Sequence, residues 1–142
     1  MATSTFALGA VSGSSLNAQS ASGAGPTLLT VETLVSALSG ATATATNLIP
    51  AGCFLFGITV RVTTLITGAT SFDIGDGSDA NRWGGTIAVA VGTTSSIADF
   101  TAAGYGQFTT ANSVVLTANG SNFTAGAVRV TAHYLTLTAA TS

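Results

Sequence analysis

Two stretches of this chain alternate between apolar and polar side chains. In FLFGITVRVTTLIT (54–67), Ile58, Val60 and Val62 alternate with Thr59, Arg61 and Thr63; in AVRVTAHYLTL (127–137), Val128, Val130, Ala132 and Tyr134 alternate with Arg129, Thr131 and His133. Successive side chains of a strand point to opposite faces, so a two-residue period of this length puts one face in a core and the other outside. β-Branched residues fill both runs and suit a pleated, half-buried surface. The shared Val-Arg-Val-Thr places an arginine on the outward face of each strand. No long-period repeat accompanies it, so we read two similar strands and not a duplication.

From Pro26 onward the same grammar holds, with short apolar runs separated by Gly, Asn and Asp. TLLTVETLVSAL (27–38) is long enough for a helix, but its Thr and Val content and the following ATATATN favour strands. NLIPAG (47–52) reads as a turn fixed by Pro50 and Gly52. TSFDI (70–74) and TIAVAV (86–91) read as strands, and 106–126 as two strands broken at Asn119-Gly120, a favoured hairpin dipeptide. Short strands without intervening helices predict an all-β fold, an antiparallel β-sandwich of jelly-roll-like type over residues 26–142. A chain of 142 residues is the size of one domain with one core.

Residues 1–25 are mostly Ala, Ser, Gly and Thr, with Phe6, Leu8, Val11 and Leu16 as the bulky apolar groups. Such a segment cannot offset its own ordering entropy. It is either a disordered tail or an extended arm that orders against a partner, with Phe6, Leu8 and Val11 as anchors.

Charge narrows the function classes. Charged residues make up 6% of the chain and lysine is absent, against roughly 25% charged in an average soluble domain. So little repulsion between copies points to a subunit of a larger assembly. Three arginines against five carboxylates give a net charge of −2, with no basic cluster to neutralise phosphates, so nucleic-acid binding is not expected. Cys53 is the single cysteine, which excludes an intrachain disulfide and reads as a small buried hydrophobe beside Phe54 and Leu55. The N-terminus has no positively charged region of a signal peptide, and no window approaches the roughly 18 apolar residues of a membrane span. The expectation is a soluble chain made in the cytoplasm.

The densest chemistry lies in SFDIGDGSDANRWGG (71–85), which holds four of the eight charged residues, Asp73, Asp76, Asp79 and Arg82, and the single tryptophan, Trp83. Asp73, Asp76 and Asp79, with Asn81, supply the hard oxygen ligands that calcium prefers, but the spacing departs from an EF-hand, and Asp and Gly are also good turn residues. Gly75-Asp-Gly-Ser-Asp-Ala80 formally fits a dinucleotide fingerprint, yet Trp83-Gly84-Gly85 follows where a helix would have to begin. His133 is the single histidine and no serine lies in Gly-x-Ser-x-Gly, so no catalytic triad is indicated and the chain is expected not to be an enzyme. No cofactor is expected. The outward Arg61, Arg129 and His133 are candidates for subunit contacts, with Glu32, Asp73 or Asp99 as counter-charges. Trp83 and Tyr105 could stack on a glycan, although aromatics in a sandwich more often fill its core.

The elements L-I-P-A-G (48–52), G-I-T-V-R-V-T-T (57–64), I-T-G-A-T-S-F-D-I-G (66–75), G-D-G-S-D-x-N-R-W (75–83) and F-T-x-G-A-V-R-V-T-x-H-Y (123–134) resemble a β-sandwich domain common among tailed bacteriophages and gene-transfer-agent-like particles. That domain occurs on head-decorating, head-fibre and tail-fibre proteins. The resemblance spans about residues 47–137 and implies a virion surface, trimeric or other symmetric assembly, and no catalysis. This chain has no heptads and no stalk, unlike fibre proteins. The resemblance therefore implies a small capsid decoration (cement) protein, a homotrimer on the major capsid protein at the capsid surface, gripping the shell with residues 1–25. The alternatives are a receptor- or glycan-binding fibre-tip module, or another virion subunit such as a tail protein.

Overall fold

Wherever the sequence alternates, the chain is extended. The computed structural model describes residues Leu16–Asn17, 24–95 and 104–140. Its strands are β1 (Leu16–Asn17), β2 (Gly25–Val35), β3 (Thr42–Ile49), β4 (Cys53–Thr67), β5 (Ser71–Gly75), β6 (Gly84–Ala88), β7 (Thr94–Ser95), β8 (Gly106–Phe108), β9 (Asn112–Asn119) and β10 (Ala125–Thr138), with no helix among the described residues. The segment 27–38 is accordingly a strand over most of its length. Phe6, Leu8, Val11 and Asp99 lie outside the described residues.

The strands form two antiparallel sheets. The six-stranded sheet has the order β1-β2-β10-β4-β7, with β8 also pairing β4, and the four-stranded sheet has the order β3-β9-β5-β6. From β2 onward, the first strand pairs the last (β2 with β10), the second pairs the next to last (β3 with β9), β4 pairs β7 and β8, and β5 pairs β6. The chain is thus one long antiparallel ribbon rolled up on itself, which is the jelly roll that the sequence predicts. Its folded-back tip is the β5–β6 connection, the acidic stretch singled out above.

The core lies between the sheets. Val62, Val60 and Ile58 of β4 face Val128, Val130 and Ala132 of β10 in register, and all six are buried. Ala45 and Ile49 of β3, Phe72 and Ile74 of β5, Ile87 of β6 and Val114 and Leu116 of β9 close over them, and no polar or charged residue is buried with them among the described residues. A register shift between His133 and Tyr134, opposite Gly57, reverses the parity of β4. Upstream of it Cys53 and Leu55 point inward and Phe54 outward. Burial pushes the Cys53 thiol pKa up, against a smaller opposite effect of a backbone hydrogen bond.

Two local expectations are corrected. Asn119-Gly120 does not close a hairpin, because β9 and β10 belong to different sheets. Gly120 takes a left-handed φ of 80° and the following residues cross the sandwich. Phe123 is buried on the way, exchanging backbone hydrogen bonds with Gly40 at 2.9 and 3.0 Å. TIAVAV is a strand only as far as Ala88; the chain then leaves for the other sheet, where Gly92 N–H donates to Val62 O at 2.9 Å.

Leu116 is fully buried at the centre of the four-stranded sheet, so Leu116→Ala is expected to cost about 2–5 kcal/mol of unfolding free energy. Thr44→Ala on the exposed face is expected to stay within about 0.5 kcal/mol in the same denaturant titration. The Cys53 thiol is expected to resist thiol reagents in the native protein and to react fully once the chain is unfolded.

Candidate functional site

The ribbon tip begins where β5 runs out of core. Gly75 is required there, since a β-carbon would overlap the carbonyl oxygen of Asp79. Asp76 then organises the turn: its Oδ1 accepts from the Ser78 N–H (2.8 Å), the Ser78 hydroxyl (2.7 Å) and the Asp79 N–H (2.8 Å). Arg82 Nε stands 2.7 Å from Asp76 Oδ2 with its N–H out of line for a hydrogen bond, so this is a contact of charge. Partial burial works to raise the Asp76 pKa, but the Ser78 and Asp79 hydrogen bonds and the Arg82 charge outweigh it and hold the carboxyl below its ordinary value.

Asp73 and Asp79 do different work. Asp73 Oδ1 accepts the Thr86 N–H and the Asn119 Nδ2 amide, each at 2.7 Å, which fixes Thr86 at a positive φ of 57° and ties β5 to β9 and β6. Asp79 Oδ1 accepts the Asn81 N–H at 3.3 Å. The three carboxylates proposed for calcium thus serve three separate structural contacts, and no three His, Cys, Asp or Glu side chains gather among the described residues.

Trp83 turns inward. It is 6% exposed, and its indole N–H donates to the Gly104 carbonyl at 3.0 Å, pinning the tip to the segment before β8. Gly104 has a φ of 117°, and a β-carbon there would overlap the Arg82 side chain. Tyr105 is half-buried and packs on the core. Trp83 therefore offers no open stacking platform, which corrects the glycan-stacking expectation for that residue. The tip is a closure device in which every named side chain holds the fold.

The second cluster is on the outer face of the six-stranded sheet. Arg61 of β4 and Arg129 of β10 stand directly opposite each other in register, both exposed. His133 pairs with Thr30 of β2 on one side and Gly57 of β4 on the other, and its Nε2 shares a hydrogen bond with Thr59 Oγ1 at 3.0 Å. Arg129 Nη1 donates to Glu32 Oε1 at 2.9 Å with both side chains about half exposed, a geometry worth only about 0–1 kcal/mol. The structure thus brings Arg61, Arg129, His133 and Glu32 to one face. It does not bring Asp73 there, since β5 lies in the other sheet.

Sequence reasoning missed the apolar part of this face. Leu28 of β2, Leu135 of β10 and Phe54 of β4 form one row in register, next to Leu137, and Phe54 and Phe56 pack at a ring separation of 5.7 Å. Leu34 and Leu65 are also exposed there. The signal was available in the outward positions of β2, Leu28, Thr30, Glu32 and Leu34, where leucine recurs on the supposedly polar side.

No family model and no curated protein matches this chain. Among solved structures it is similar to a chain of the cyanophage Pam1 capsid asymmetric unit, with a TM-score of 0.50 and 19% identity over 96% of this chain and 99% of that one. At that identity the likeness is one of fold, extending over nearly the full length of both chains. No helix among the described residues is long and apolar enough to cross a membrane.

Asp76→Ala removes the acceptor of three hydrogen bonds and is expected to cost about 1–3 kcal/mol. Because the folded carboxyl has the lower pKa, its contribution is complete at neutral pH. It is lost as pH falls from about 3.9, the unfolded value, through the folded one. Thermal melts down through this acid range are expected to show a steeper loss of stability for the native protein than for Asp76→Ala.

Proposed function

We propose that this protein decorates the capsid of a tailed bacteriophage: a homotrimer bound to the major capsid protein on the outer shell surface, stabilising the shell and carrying out no catalysis. The observation that carries this reading is the end-to-end likeness to a chain of a phage capsid asymmetric unit. The shared fold accounts for 99% of that chain and 96% of this one. The motif resemblance of residues 47–137 supports the same reading.

The physical logic agrees. A protein that binds assembled shell and not separated subunits stabilises the shell by linkage, without needing an active site. Interfaces of Thr, Ser, Val and Leu strands need few charges, in keeping with this composition. In this reading the residues before β2 are the arm, with Phe6, Leu8 and Val11 as anchors, and such an arm adds contacts across a subunit boundary at an ordering cost. Within it Leu16 and Asn17 pair Leu28 and Thr27 of β2 at the edge of the six-stranded sheet. The fibre-tip alternative draws on Trp83 as a stacking residue, and that residue is buried.

Removing residues 1–23 leaves β2 to β10 whole. The shortened protein is expected to melt cooperatively but to fail to coat capsids that the full chain coats and stabilises against heat. Full occupancy by the shortened protein would remove the arm from the account. Failure of the full chain to bind capsids, with its recovery among tail components instead, would overturn the decoration role.

A further inference from the structure

The two outer faces of the sandwich differ in chemistry. The four-stranded sheet turns Thr42 and Thr44 of β3, Thr117 of β9, Ser71 and Asp73 of β5 and Thr86 outward, and Asn119 Nδ2 bonds two of them, reaching Ser71 Oγ (3.3 Å) and Asp73 Oδ1 (2.7 Å). That face is suited to water. Of the large apolar residues left exposed among the described residues, Leu28, Leu34, Phe54, Leu65 and Leu137 belong to strands of the six-stranded sheet, at 42% to 77% exposure, and Val91 lies in the turn before β7. A grouped set of this kind marks an interaction surface, whereas single exposed leucines do not.

The apolar face also has two flanks of opposite charge. On β2, Leu28 and Leu34 flank the acid Glu32; on β4, Phe54 and Leu65 flank the cation Arg61, with β10 between them. Arg61 has no ion-pair partner among the described residues, and Glu32 engages Arg129 through Oε1.

We infer that the outer face of the six-stranded sheet docks a second copy of this chain, with the β2 flank of one copy on the β4 flank of the next, Glu32 meeting the partner's Arg61 and the exposed leucines and phenylalanine of the two flanks packing around that pair. The contact joins two different patches, so it propagates head to tail and closes a ring if the rotation permits. The four-stranded sheet is left to solvent. This deepens the assembly part of the proposed function and rests on that reading only for the ring size, since the contact itself follows from the chemistry of the face.

Sedimentation of the purified full chain, without capsids, tests it. Native protein is expected to self-associate reversibly on raising concentration. Glu32→Arg and Arg61→Glu are each expected to weaken association by roughly tenfold, and the two together to recover it, while Thr44→Arg on the opposite face changes nothing. Arg61→Gln, which adds no new charge beside Arg129, supplies the reading if a reversal disturbs folding, and it is expected to weaken association in the same direction. A native chain that stays monomeric at every concentration overturns the inference, as does an oligomer indifferent to Glu32→Arg and Arg61→Gln. An oligomer that survives these changes while capsid binding is lost assigns the face to the shell and likewise overturns it. A dimer sensitive to both charges supports the contact and instead overturns the trimer of the proposed function.

Discussion

The pairing of β10 with β4 is the contact on which the sandwich depends. Val128, Val130 and Ala132 meet Val62, Val60 and Ile58 rung by rung, across a sequence separation of about half the chain, and both strands run through the middle of the six-stranded sheet. Until the last strand arrives, β2 and β4 have nothing between them, and the core has no floor under Phe72, Ile74 and Leu116. The entropy of closing so large a loop must be offset by burial that comes only with the complete sheet. The chain is therefore held by a few long strands, not by local elements that could form alone.

The distribution of charge follows from this construction. A ribbon rolled into a jelly roll has one tip, at the β5–β6 connection, and there the backbone must turn back without a core to support it. Asp76, Arg82, Ser78 and Asp73 supply the acceptors and donors that the turn needs, and Trp83 anchors it to Gly104. Elsewhere threonine, serine and asparagine satisfy the surface. The remaining described ionic groups, Glu32, Arg61 and Arg129, gather on the one sheet face that also carries exposed leucine and phenylalanine.

What the sequence made legible was what depends on period. The alternations in 54–67 and 127–137 predicted both central strands, the inward set and the outward arginines, because side-chain parity is fixed by the backbone alone. Which strands pair is not written in a period. Asn119-Gly120 has the chemistry of a hairpin, but the rolled topology sends β10 to the other sheet, and the dipeptide serves a crossing loop. Trp83 looked like a binding residue because it sits in a polar loop, and its burial comes from Gly104, distant in sequence. The outer-face leucines were hidden for a related reason: Leu28, Leu135 and Phe54 come from three strands and become a row only once register is set.

In the proposed assembly the protein turns one face to water and one face to its own kind, and its tip closes the fold. A density map of particles bearing the protein, resolved to the level of strands, tests this account most directly. It predicts copies grouped around threefold positions on the outer shell, the six-stranded sheets against one another and the four-stranded sheets outermost. Isolated copies with the six-stranded sheet open to solvent, or copies confined to the tail, would contradict it.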